Sequence, residues 1–175
     1  MGVDQSREFL AIGKERLKKN GCNRVELLCG DATAYQDDRK YDVVVLSETF
    51  GSIPETLALG ERFLKPGGLL AFQKLYAKTE NPPEELIDFD GEVLPLFELN
   101  RIFNELGFYI TSTASDSTGM WEKYVFNWSG KRDLRQLAEN REDKALERRI
   151  RRWHEMYLKY RRQYEGQALF GLERI

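Results

Sequence analysis

Tyr41-Asp42-Val43-Val44-Val45-Leu46-Ser47 is the stretch on which the fold turns. It is a continuous apolar run rather than an alternation, and the polar Asp37-Asp38-Arg39-Lys40 precedes it. Such runs belong to strands covered on both faces, as in parallel sheets with crossover helices on either side. Upstream, Val25 to Cys29 reads as a shorter strand closed by Gly30-Asp31, and Gly2-Val3-Asp4 as a strand end. Between them Ser6 is placed to cap a helix whose face carries Phe9, Leu10, Ile12 and Leu17 and which ends near Asn20-Gly21. Downstream, Pro54 opens a helix bearing Leu57, Phe63 and Leu64 that stops at Lys65-Pro66-Gly67-Gly68. Leu69 to Leu75 is the next strand, Leu96 to Leu106 a helix closed by Gly107, and Phe108 to Thr113 a further strand. Residues 78–95, rich in Pro, Glu and Asp, read as a long surface loop. Strands alternating with helices predict an α/β fold: a mostly parallel, Rossmann-like sheet flanked by helices, with right-handed crossovers.

The carboxyl-terminal part has a different period. Trp121, Tyr124, Val125 and Trp128 recur at helical spacing, with a strand over 124–128 as the alternative. Leu146, Ile150, Trp153, Tyr157, Tyr160 and Tyr164 then make an apolar stripe on one helix, about 33 Å long if residues 143–164 are all helical. Gly166 ends it, and Ala168 to Leu172 reads as a last strand returning to the sheet. The predicted organisation is an α/β core over 1–116, a helical insertion or cap over 117–165 and a final strand over 166–175.

A chain of 175 residues suffices for one domain with a real core. Cys22 and Cys29 have no metal-ligand or disulfide spacing, which points to reduced thiols in the cytoplasm, with Cys29 as a small core residue and no metal. No apolar stretch has bilayer length, and the start has neither the basic nor the apolar region of a signal peptide, so no membrane partner is expected. The net charge of −2 divides unevenly: residues 131–165 hold twelve Lys/Arg and seven Asp/Glu, a net +5, against −7 elsewhere. The interleaved acids favour an exposed, ion-paired helix over a phosphate-binding arm, so a nucleic-acid partner is not expected. The only histidine, His154, lies beside the stripe and reads as a surface or packing residue rather than a general base.

The ordered set Gly2-Val3-Asp4-Gln5-Ser6, Gly30-Asp31-Ala32, Tyr41 to Val45 and Leu64-Lys65-Pro66-Gly67-Gly68 resembles the class I S-adenosylmethionine-dependent methyltransferases over about residues 1–113. The resemblance implies strand order 3-2-1-4-5-7-6, with the last strand antiparallel. Met1 to Asp4 would then be the end of the second strand, with the first strand and its glycine-rich turn missing. None of the fourteen glycines is in a Gly-x-Gly pattern. Loss of a central strand would leave two unpaired edges. Either these edges pair with each other, or another chain donates a strand, or the reading frame begins further upstream.

The same resemblance places Asp4 on the ribose hydroxyls of the cofactor, Asp31 and the Ala32 amide on its adenine, and Ser47 at the cofactor's edge. Each role suits the residue, since a carboxylate is an acceptor-only group able to take two donors. Glu48 would orient an acceptor or take its proton. Phe50, Trp121, Tyr124, Trp153 and Tyr157 are candidates to line the substrate pocket, although aromatics at helical spacing also suit a core. The family's Pro-Pro and Pro-Cys signatures for macromolecular or cytosine-carbon acceptors are absent, so a small-molecule methyl acceptor is implied. Cofactor binding would be weakened without the glycine-rich turn. The alternative is a cofactor-free interaction module, dimerising through the striped helix.

Overall fold

The backbone pairing follows the implied order with one interval. In the computed structural model, which describes residues 1–175 except 48, 49, 92 and 175 and the Trp128 side chain, β1 (Gly2–Asp4) pairs in parallel with β2 (Leu27–Cys29). A second sheet has the order β3-β4-β6-β5, from β3 (Tyr41–Ser47), β4 (Leu64–Ala77), β6 (Glu165–Arg174) and β5 (Phe108–Ser115). β3 and β4 are parallel, and β6 runs antiparallel between β4 and β5. Among the described residues β1 and β3 do not pair, so the sheet is not closed by joining those two edges.

Local chemistry explains the elements. Ser6 accepts from the Phe9 amide at 3.1 Å and starts α1 (Arg7–Lys19). Ser52 and Glu55 form a reciprocal capping box on α2 (Ile53–Glu61), with Pro54 in its first turn. Lys65 to Gly68 do not separate helix from strand. They loop out of β4 between the pairs Tyr41↔Leu64 and Val43↔Leu69, with Gly67 at φ 71° in the left-handed region. The segment 78–95 is more than a loop: α3 (Glu84–Asp90) forms within it and buries Leu86.

The core lies on one face of the four-stranded sheet. Leu57 of α2 and Leu99 and Phe103 of α4 (Leu96–Glu105) pack with Leu46, Leu70, Phe72, Phe108, Phe170 and Leu172. Phe103 meets the Phe170 ring edge-on at 5.4 Å and the Phe72 ring at 6.1 Å.

Burial on both faces of β3 is not observed. Leu46 enters the core, while Val43 and Val45 are 51% and 66% exposed. The helix packed on β3 is α2, on the Leu46 side, so the opposite face lies open. The predicted α1 face also stays open: Leu10 is buried, but Phe9 and Ile12 are exposed. Cys29 is exposed rather than in the core, because it ends a strand in the small two-stranded sheet.

Between β5 and β6 the chain is helical. α5 (Thr118–Glu122) runs into a π-helical turn over Lys123–Ser129, which excludes the strand alternative, and continues as α6 (Gly130–Glu139). α7 (Lys144–Met156) is followed by a second π-helical turn, Tyr157–Arg161, and α8 (Arg162–Tyr164). β6 then begins at Glu165, earlier than the sequence suggested. Trp121, Val125 and Tyr157 make a second small core with Leu75 and Trp153.

Removing the Phe103 ring leaves a cavity among fully buried neighbours. Phe103→Ala is expected to cost about 3–5 kcal/mol in urea unfolding, whereas Val45→Ala changes stability by no more than about 0.5 kcal/mol.

Candidate active site

The β1–β2 register pairs Asp4 with Cys29, and the Gly30 amide donates to the Asp4 carbonyl at 3.0 Å. Asp31 follows directly, so both carboxylates stand at the carboxyl end of adjacent parallel strands. Asp4 Oδ1 accepts from the Ser6 amide at 2.7 Å. Asp31 Oδ1 accepts from the Thr33 hydroxyl at 2.7 Å and the Thr33 amide at 2.8 Å. These bonds, the hydroxyl's first, hold the Asp31 carboxyl below its ordinary range. Ala32 lines a cleft of about 370 Å³ between the two sheets. Its walls include Gly2 and Val3 on one side and Val43 to Leu46 on the other. Phe50 belongs to this cleft and to the edge of the core rather than to the aromatic cavity described next. Glu48 lies outside the described residues.

Ser47 ends β3 and is paired in register with Gln73 of β4. Gln73 lines a second cavity, of about 510 Å³, with Leu75, Asp116, Met120, Trp121, Tyr124, Trp153, Arg161 and Gln167. The β-sheet supplies its floor through Gln73, Leu75 and Gln167, and the cap supplies its aromatic walls. Trp121 and Tyr124 stack at 5.6 Å with a 16° interplanar angle. Trp153 stacks on Tyr157 at 6.3 Å and 14°. Three of the five predicted pocket aromatics therefore meet around one space. Tyr157 does not: it is fully buried behind the walls, and burial raises its hydroxyl pKa.

The sequence reading missed Arg161, Gln73, Gln167 and Asp116. Arg161 follows Tyr157 by four residues and so stands at the border of the stripe, within the π-helical turn over Tyr157–Arg161; a cation there reads as one whose charge reaches solvent. Its Nε lies 2.7 Å from Glu165 Oε2 and 3.1 Å from Asp90 Oδ2. The guanidinium carbon is 5.6 Å from the Trp153 ring and 5.9 Å from that of Trp121. The available sequence signal was Arg161 and Glu165 at i,i+4 beside an aromatic stripe.

His154 lies away from the cavity, with Nε2 3.4 Å from Asp133 Oδ2 and its ring against Phe126 and Trp153, as a packing histidine would. Outside the cavity, Glu85 of α3 fastens the cap. It receives Lys159 Nζ at 2.9 Å, the Tyr160 hydroxyl at 2.7 Å and Arg152 at 3.0 Å.

The carboxylates at the ends of β1 and β2, and a cavity beside the end of β3, follow the rule that open α/β sheets bind ligands off the carboxyl ends of their strands. A family model described as a methyltransferase domain matches residues 1–142. This chain belongs to the class I S-adenosylmethionine-dependent methyltransferases.

Among solved structures, this chain is similar to a SAM-dependent methyltransferase from Geobacter sulfurreducens in complex with S-adenosyl-L-homocysteine. The match has 26% identity and a TM-score of 0.88 over 99% of this chain and 74% of that one. It is also similar to YjhP from E. coli, at 25% identity and TM-score 0.90 over 99% and 76% of the two chains. Its curated relatives include the demethylmenaquinone methyltransferase of Bacillus velezensis, 26% identical over 137 residues, 61% of this chain and 58% of the relative. That of Bacillus pumilus is 32% identical over 73 residues, 39% and 31% respectively. The chain thus spans less than two thirds of the length of these curated relatives. Among the described residues no helix is long and apolar enough to cross a membrane.

The Glu85 contacts, Lys159 first, lower its carboxyl pKa from 4.5 to about 2. A depressed carboxyl contributes stability that is full above its unfolded value and lost as pH falls through its folded one. In thermal melts, wild type is expected to exceed Glu85→Gln at pH 6, and the gap to shrink between pH 4.5 and about 2 and on adding salt. A gap independent of pH would contradict this role for Glu85.

Proposed function

We propose that the chain transfers the methyl group of S-adenosylmethionine to a small molecule bound in the aromatic cavity. The register of Ser47 with Gln73 carries this reading, because it sets the carboxyl end of β3 directly beside that cavity. On this reading Asp4 and Asp31 hold the nucleoside. Asp31 engages Thr33 through Oδ1, and Asp4 engages Ser6 through Oδ1, so neither arrangement uses both carboxylate oxygens in those contacts. The Ala32 amide, beside Asp31, would meet the base, and Ser47 the edge of the cofactor. When bound, the cofactor supplies an electrophilic sulfonium methyl.

The chain's own contribution is positioning: Trp121, Tyr124 and Trp153 confine a flat acceptor, and the cap keeps water from it. Holding two reactants in line is worth roughly 7–11 kcal/mol of barrier, so no catalytic triad is needed. Small acceptors also fit the names of the curated relatives, which methylate demethylmenaquinone. The ion pairs along the cap, Glu147 with Lys144 and Arg151 among them, support an exposed helix rather than a phosphate-binding arm. With the grip running through the nucleoside, S-adenosylhomocysteine is expected to bind in the micromolar range. Asp31→Ala should weaken it about tenfold or more, the loss of hydrogen bonds to a charged group. Isothermal titration decides: no heat with wild type, or equal affinity in Asp31→Ala, sinks the reading.

A second reading rests on the facing edges of β1 and β3, unpaired with each other, and on the exposed Val43 and Val45. A second copy of the chain would cover them by pairing strands across a dimer. Sedimentation of wild type as a dimer, and of Val43→Lys/Val45→Lys as a monomer, is the expected result; a monomeric wild type removes it.

A further inference from the structure

The aromatic cavity has a cation in its wall that positioning a flat acceptor does not require. Arg161 has a side chain only 7% exposed. A guanidinium so buried is costly unless paired, and it is doubly paired, with Glu165 and Asp90. Both contacts are made by Nε. Among the described residues its two terminal nitrogens make no hydrogen bond of good geometry, although Arg161 lines the cavity. Burial pushes the carboxyls of Asp90 and Glu165 up, and Arg161 beside them pulls both back. The fork is thus fixed from behind, with its outer donors unspent.

Its surroundings define what those donors would meet. Arg161 lies against both indole rings, those of Trp121 and Trp153, and a guanidinium stacked on a ring keeps its in-plane N–H groups for acceptors. The Gln73 and Gln167 amides lie on the floor, and Asp116 is the one carboxylate among the lining residues. We propose that Arg161 sets acceptor specificity by receiving a carboxylate, or an equivalent planar pair of oxygens, borne on a flat aromatic body held between the cap aromatics. This rests on reading the cavity as the acceptor site. Asp116 would favour the opposite class, an aromatic amine, and that class is the test's counter-outcome.

Benzoate, its neutral isostere benzamide, and benzylamine serve as probes, titrated by tryptophan fluorescence and calorimetry with S-adenosylhomocysteine present. Wild type should bind benzoate at least tenfold more tightly than benzamide or benzylamine. Arg161→Gln should erase the preference, and Arg161→Lys, which keeps the charge but not the fork, should reduce it severalfold. Unchanged circular dichroism and S-adenosylhomocysteine affinity in the variants establish that the fold persists; should Arg161→Gln fail to fold, Arg161→Lys and the three-probe comparison in wild type carry the test. Equal binding of benzoate and benzamide, tighter binding of benzylamine, or no benzoate binding overturns the proposal. A benzoate preference in a chain that gives no heat with S-adenosylhomocysteine would instead remove the methyl-transfer reading and leave the Arg161 site standing.

Discussion

The antiparallel ladder between β4 and β6, from Leu70↔Leu172 to Ala77↔Glu165, is the constraint on which the rest of the molecule depends. On one face it delivers Leu70, Phe72, Phe170 and Leu172 to the core. At its far end it fixes Glu165 beside Ala77, and so fixes where the cap must finish. Because β6 lies between β4 and β5, the helices that separate β5 from β6 in sequence must leave and return at neighbouring strands. They can only arch over the strand ends at which Gln73, Leu75, Asp116 and Gln167 line the cavity. The cavity is therefore a product of topology before it is a product of side-chain choice.

Element order was the part most legible in the sequence, because it follows from the ordered run of apolar segments and turns, whereas the strand order was implied only by the family resemblance those segments carry. Those signals are local: Ser6 and Ser52 cap as serines do, and Gly67 takes the turn that Lys65-Pro66 prepares. Burial was less legible, and for a definite reason. Val43 and Val45 have the composition of strand residues covered on both sides, yet coverage depends on what packs opposite, which a run of valines cannot report. The same holds for Phe9 and Cys29, whose environments depend on long-range neighbours. The strand-end positions of Asp4 and Asp31 were legible because each lies within two residues of the end of a short strand, where the register leaves little freedom.

The cap aromatics illustrate why core and pocket were hard to separate from spacing alone. Trp153 and Tyr157 belong to one stripe and stack at 14°, yet one lines the cavity and the other lies wholly behind it. A single layer of rings performs both tasks: its inner side fills the small core with Val125 and Leu75, and its outer side is the wall. Mutating a wall residue will therefore disturb the cap's packing as well as the cavity, and a binding defect in such a variant needs a stability measurement beside it.

The two π-helical turns bear on the same point. Each inserts a residue into a helix and disturbs the usual backbone ladder, an arrangement common at functional sites and rare elsewhere. The first, Lys123–Ser129, follows Trp121; the second, Tyr157–Arg161, ends on Arg161. Arg161 stands four residues after Tyr157 and three before Tyr164, at the border of the stripe of Ile150, Trp153, Tyr157, Tyr160 and Tyr164, from where a long cation can reach out to solvent and leave the inside to the rings. A cap needing only adhesion to the sheet would gain from that simpler arrangement, since an aromatic inside requires no paired carboxylates. The chain instead turns a guanidinium inward and sets Glu165 and Asp90 behind it, the arrangement expected where that cation must be held in one orientation.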